Sequence, residues 1–193
     1  MKVFQTSDIE EIVETLNDEK IIAVPTDTVY GLCGIIKSDK TEEKIRDIKH
    51  RPKDKSFPIM CANLTQIKEL CKVDDITLRI IEEFMPGPLT IVLEKIDSSD
   101  TLAIRYATSK TLEEVILKTG PLYMTSANLS GEKPCATIKE IEETCVGIDG
   151  ILEGTPEFNQ ASTVLNCVNG YNVLREGPIS QEEINKVIKK EVE

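Results

Sequence analysis

Short apolar runs alternate with longer amphipathic stretches along almost the whole chain, and that alternation constrains the fold more than any other feature. "KIIAVPT", "FPIMCA", "LTIVLEK", "TLAIRY" and "PLYMTSA" are apolar runs of strand length, closed by proline, charge or small polar residues. Between them "SDIEEIVETLND", "TEEKIRDIKH", "DITLRIIEEFM", "SKTLEEVILKTG", "TIKEIEETC" and "SQEEINKVIKK" carry apolar residues at helical spacing. Three of these open on capping boxes: Ser7 with Glu10, Thr137 with Glu140, and Ser180 with Glu183. Gly120 and Pro52 supply stop signals. "STVLNC" and "YNVLRE" pair around "VNG". Strands that alternate with helices predict an α/β or mixed α+β layer fold. No repeat, low-complexity tract or linker interrupts the pattern, so one domain over residues 1–193 is expected.

Charge and cysteine usage exclude several classes. The net charge of −11 is wrong for a broad phosphate track, and an aromatic content of 4% without tryptophan is wrong for base stacking. Yet Lys44, Arg46, Lys49, His50, Arg51, Lys53 and Lys55 crowd one short stretch, which predicts a local anion site. No apolar run reaches the ~20 residues of a membrane span. The N-terminus lacks a signal peptide's hydrophobic centre, so a cytoplasmic protein with no membrane partner is expected. Six cysteines without a CxxC pair read as free buried thiols. Neither GxxxxGK[ST] nor GxGxxG occurs. The single histidine, His50, lies in a highly charged stretch and reads as a solvated surface residue, which leaves no Ser-His-Asp arrangement.

Four segments concentrate groups suited to chemistry. In "AVPTDTVYGL", Pro25 halts a strand where Thr26, Asp27 and Thr28 present short oxygen-bearing side chains; a helix N-cap and a ligand-facing bend both fit. In "IKHRPKDK", Pro52 extends Arg51, so Lys49 and Arg51 could clamp a polyphosphate or simply offset a helix dipole. In "LAIR", Arg105 ends an apolar strand and needs a partner, either an internal carboxylate or a bound one. "PLYMTSANLSGEKP" delivers Thr125, Ser126, Asn128, Ser130 and Gly131 into one bend, the shape of a loop that approaches an acceptor-rich ligand. Ser162 of "ASTVLNC" and Arg175 of "VLREG" again sit where apolar strands begin or end.

Taken in order, "PTDTVYGL", "KHRPKDK", "PGPLT", "LAIR", "TSANLSG", "STVLN" and "LREG" make the chain resemble the YrdC-type threonylcarbamoyl-AMP synthases from about Val3 to Ile179. The resemblance implies a twisted mixed sheet flanked by helices with a large concave basic site. It implies a reaction that joins L-threonine, bicarbonate and ATP, with Mg2+, into threonylcarbamoyl-AMP and pyrophosphate. A tRNA threonylcarbamoyl transferase complex would take the product to make N6-threonylcarbamoyladenosine. Carried over by position, Lys49, Arg51, Lys55, Thr101, Ser126, Asn128, Pro134 and Arg175 would bind ATP, with Lys49 and Arg51 the best catalytic candidates. Thr28, Arg105, Met124 and Ser162 would bind threonine, and no protein metal ligand is implied. Weak RNA binding is a further expectation of a concave basic face.

Two departures bear on loop geometry. Ser56 follows Lys55 where the family often has proline, and Ala161 and Asn166 stand in "ASTVLN" where proline and aspartate are commoner. The chain resembles the short form of the family, so a closing segment from an extra C-terminal domain is expected to be missing or replaced. The alternatives are a paralogous YciO-like nucleotide- or RNA-binding protein without this activity, a non-catalytic RNA-binding module, and carbamoyl transfer without ATP.

Overall fold

The alternation is realised as layers on one mixed sheet. The computed structural model describes residues 1–157 and 160–189. Its strands are β1 (Lys2–Phe4), β2 (Ile22–Pro25), β3 (Tyr30–Ile35), β4 (Ile59–Cys61) and β5 (Leu89–Glu94), then β6 (Thr101–Tyr106), β7 (Leu122–Ser126), β8 (Gly150–Leu152), β9 (Thr163–Asn166) and β10 (Asn172–Arg175). They lie in the order β1-β8-β2-β3-β7-β4-β6-β5-β9-β10. β8 runs parallel to β1 and β2, β4 to β6, and β5 to β9, while the remaining neighbours are antiparallel. The helices are α1 (Ile9–Asn17), α2 (Asp39–Lys49), α3 (Leu64–Leu70), α4 (Asp75–Phe84), α5 (Lys110–Thr119), α6 (Ile138–Thr144) and α7 (Gln181–Lys189).

Strand alternation decides what each face does. Leu89, Ile91 and Leu93 of β5, Ile104 of β6 and Leu165 of β9 enter one cluster with Ile80 and Ile81 of α4 and Ile184 and Val187 of α7. Further along the same side, Ala23 and Leu32 pack with Ile45 and Ile48 of α2 and Ile141 of α6. On the opposite side, Cys33, Met60, Leu122 and Met124 are buried under Ile12, Val13 and Leu16 of α1 and Leu112, Val115 and Ile116 of α5. Met60 is the register partner of both Leu122 and Arg105, so Arg105 shares that face. There, however, the face passes into a cavity wall of Thr90, Ala103, Arg105, Val164 and Arg175.

Local details confirm some expectations and correct others. The box at Ser180 forms in both directions: Glu183 N donates to Ser180 Oγ at 3.3 Å and Ser180 N to Glu183 Oε2 at 2.8 Å. Thr137 caps α6 by accepting from Glu140 N at 3.2 Å. The box at Ser7 does not form, because Ser7 Oγ donates to Asp8, whose other carboxylate oxygen accepts from Gln5 N. Residues 26–29 are no helix cap; they turn the antiparallel β2–β3 hairpin. β1, β3, α3 and β8 carry too little periodicity of their own to have been predicted. Lys190, the end of the predicted last helix, lies outside the described residues, as do the other positions of the 1–193 domain span at 158, 159 and 191–193. All six cysteines are free thiols, five of them buried. His50 is exposed and closes α2 in a left-handed conformation with φ 49°. Among the described residues no helix is long and apolar enough to cross a membrane.

Candidate functional site

The uncovered half of that face, roofed by loops, encloses a cavity of about 520 Å3, within the usual range for small-molecule sites. Thr26, Thr28 and Val29 come from the β2–β3 turn, Lys49 and Arg51 from the end of α2, and Met124 to Ser126 from β7. Asn128, Ser130, Gly131, Glu132 and Pro134 follow on the next loop. Thr90, Ala103, Arg105, Ser162, Val164 and Arg175 form the facing wall. Ten of the twelve residues expected from sequence therefore line one space: Thr28, Lys49, Arg51, Arg105, Met124, Ser126, Asn128, Pro134, Ser162 and Arg175. Lys55 and Thr101 do not. Lys55 is exposed, and its carbonyl accepts from Arg46 and Arg51. Thr101 shares the strand face of Arg105 but is exposed at the far end of β6, opposite Glu94.

Lys49 is the most buried of the wall's cations, at 1% exposure. Its ammonium donates to Ser126 O, to Asn128 O at 2.8 Å and to Asn128 Oδ1 at 3.1 Å. These three bonds use all three donors, so Lys49 shapes the "SANLSG" loop from beneath. Asn128 Nδ2 continues the brace, to Leu129 O at 2.8 Å and Glu132 O at 2.9 Å. Burial pushes the Lys49 ammonium down to about 8, with Arg51 acting in the same direction. The expected same-side projection of Lys49 and Arg51 from an extended chain is not observed, since Lys49 is the last residue of α2. The loop around 51–57 still brings Arg51 to the wall, where it donates to Lys55 O at 3.2 Å and Ser56 O at 2.7 Å and lies 5.0 Å from the Phe57 ring centre.

On the other wall, Arg105 has an internal carboxylate as a partner. Nη2 donates to Asp27 Oδ1 at 2.7 Å and Nη1 to Thr28 Oγ1 at 3.0 Å. Arg105 Nε and Asp27 Oδ2 are buried without partners among the described residues. Arg175 donates from Nε and Nη2 to Ser162 O at 3.1 and 2.7 Å, and from Nη2 to Ser162 Oγ at 3.2 Å. Ser162 Oγ also lies 2.7 Å from Thr90 Oγ1. Burial and then the charge of Arg105 lower the pKa of Arg175. Four cations thus converge on a wall that carries one carboxylate, Glu132, among the described residues.

Close backbone approach dictates one glycine: a Cβ on Gly177 would lie 2.3 Å from Thr163 N, whereas one on Gly31 would meet the Met124 side chain, 2.5 Å from Sδ. Sequence reasoning places Asp27 in a candidate bend without giving it a role, and does not assign Thr90 to the site. For Thr90 the signal is available, because "LTIVLE" alternates and places Thr90 opposite its leucines and isoleucine. For Asp27 the bend is flagged by its oxygen-bearing residues, but no local signal points to the pairing with Arg105, which is distant in sequence.

The Sua5_yciO_yrdC family profile, described as "Telomere recombination", matches residues 14–177. A putative threonylcarbamoyl-AMP synthase of Methanocaldococcus jannaschii is 30% identical over 95% of both chains. The threonylcarbamoyl-AMP synthase of Bacillus subtilis is 31% identical over 93% of this chain, which spans 56% of that protein's length. Among solved structures, Pyrococcus abyssi Sua5 complexed with L-threonine superposes with a TM-score of 0.90 at 27% identity, covering 98% of this chain and 61% of that one. Escherichia coli YciO shares the fold, with a TM-score of 0.85 at 22% identity over 95% of this chain and all of its own.

Proposed function

The chain belongs to the Sua5/YciO/YrdC family, and from that membership we propose that it is an enzyme, an L-threonylcarbamoyladenylate synthase of the nucleotidyltransferase type. The observation that carries this reading is the convergence of Lys49, Arg51, Arg105 and Arg175 on one cavity in a chain of net charge −11. Such a wall suits a ligand set with many negative charges, here the triphosphate of ATP and the carboxylate of threonine.

In this reading Arg51 and Arg175 hold the triphosphate, and Lys49 fixes the loop of Ser126 and Asn128 against the nucleotide. Pro134 borders the nucleotide side. Arg105, with Thr28, takes the carboxylate of threonine, and Met124 and Ser162 complete the amino-acid end. The threonine amine combines with bicarbonate to give a carbamate, with loss of water. A carbamate oxygen then attacks the α-phosphorus, the bond to the bridging oxygen breaks, and pyrophosphate leaves. No protein nucleophile is required; positioning and charge stabilisation lower the barrier. Magnesium enters as part of the Mg–ATP substrate, which keeps most of its ligands as phosphate and water. The product passes to a tRNA threonylcarbamoyl transferase complex.

The test is pyrophosphate release by the purified protein with Mg–ATP, bicarbonate and L-threonine, each omitted in turn, with the adenylate identified by mass. Release that requires threonine and bicarbonate together is expected. ATP binding without such release would return the chain to the YciO-like reading.

A further inference from the structure

The four cations of the cavity wall are not equivalent. Arg105 alone among them forms an ion pair with a carboxylate of the described residues. Lys49, Arg51 and Arg175 donate to carbonyl, amide and hydroxyl oxygens and form no ion pair among the described residues. The Arg105–Asp27 pair is also enclosed, with side chains 8% and 6% exposed. Asp27 is held from several sides. Thr108 Oγ1 donates to Asp27 Oδ1 at 3.4 Å and accepts from Asp27 N at 3.3 Å, and Asp27 O accepts from Glu157 N at 3.1 Å. The charge of Arg105 nonetheless reaches Arg175. The two guanidiniums would act together on a polyphosphate if Asp27 did not offset one of them.

Building on the synthase reading, we propose that Asp27 is a specificity-determining positioning residue that divides the cavity between its two anionic ligands. By offsetting Arg105, it reserves that guanidinium for the single charge of an amino-acid carboxylate. The polyphosphate is thereby confined to Arg51 and Arg175, beside the loop that Lys49 fixes. The physical basis is that attraction for a polyanion scales with local net charge, whereas recognition of a carboxylate draws mainly on hydrogen bonds. A guanidinium neutralised by aspartate loses most of the first and keeps most of the second. The carboxylate of Asp27 additionally supplies negative potential suited to the ammonium of a zwitterion.

The experiment is calorimetric titration of the full chain with L-threonine and with inorganic tripolyphosphate, separately and in competition. Wild type should bind both, with threonine affinity unchanged by saturating tripolyphosphate. Asp27→Asn should bind threonine roughly 30-fold more weakly or worse. Tripolyphosphate should bind Asp27→Asn more tightly than wild type and compete with the remaining threonine binding. Thr108→Val, which removes the hydroxyl that holds Asp27 without removing a charge, should show the same competition more weakly. It keeps the question answerable if Asp27→Asn does not fold. Wild-type threonine affinity without competition in the folded variants overturns the inference. A wild-type protein that binds neither ligand overturns the synthase reading instead.

Discussion

Over β3, β7 and β4 one face of the sheet disappears beneath α1 and α5; over β6, β5, β9 and β10 the same face is the wall of a cavity. The two halves are built from the same alternating strands and join at one register pair, Met60 beside Arg105. On the covered side the alternate positions are Cys33, Met60 and Leu122, Met124 lies at the boundary and also lines the cavity, and on the open side they are Thr90, Ala103, Arg105 and Val164. A helix layer rewards apolar side chains by removing them from water, whereas a face without one tolerates groups that need polar partners. The open half is thus not a defect in packing. It is the stretch where side-chain chemistry is decided by ligand rather than by core.

The sharpest way to break this contrast is Arg105→Ala. It should cost about 3–5 kcal/mol of folding stability, as much as a core deletion, because Asp27 stays buried without its cation. Urea unfolding checks this alongside Leu122→Ala, which should lose about 2–5 kcal/mol by leaving a cavity under α5. If Arg105→Ala unfolds like wild type, the buried pair is not a structural element and stability resides in the helix-covered half alone. Arg51→Ala sharpens the division from the other direction. Stability should change by less than about 1 kcal/mol, while ATP binding weakens by about 2–3 kcal/mol in titration calorimetry.

The smallest effect concerns Lys49, on the seam between loop and cavity. Its pKa falls from the model-peptide value of 10.5 to about 8 on folding, so between these values the unfolded chain binds more protons. Stability should therefore rise with pH through that window, by up to about 1 kcal/mol per pH unit. The buried thiols act oppositely, since burial raises their pKa values. The measurement is accordingly the difference between wild type and Lys49→Met in chemical denaturation from pH 8 to 10. A flat difference would mean that the ammonium is no more costly to bury than in water.

Much of the layer pattern was legible from local signals. The alternation in "LTIVLE" and "TLAIRY", the stop at Gly120 and the box at Ser180 are each determined within one turn or one strand. The motif order also brought ten wall residues into one expectation. Lys55 and Thr101 lie outside the wall, because neighbourhood in sequence does not say which of several adjacent residues faces a cavity. Arg46 and Arg51 draw in the carbonyl of Lys55, and its side chain is exposed outside the wall. β8 went unread because three residues carry no period, and its burial between β1 and β2 comes from distant partners.

From the chain alone, then, follow the class of the fold, most of its helices and strands, the family resemblance and the concentration of cations, all of which depend on short-range periodicity or on residue type. Tertiary structure decided that residues 26–29 turn a hairpin rather than cap a helix, that α1 and α5 cover only half of a face, and that Arg105 meets Asp27. Those outcomes depend on strand register, and register brings together groups nearly eighty positions apart that no local preference can connect.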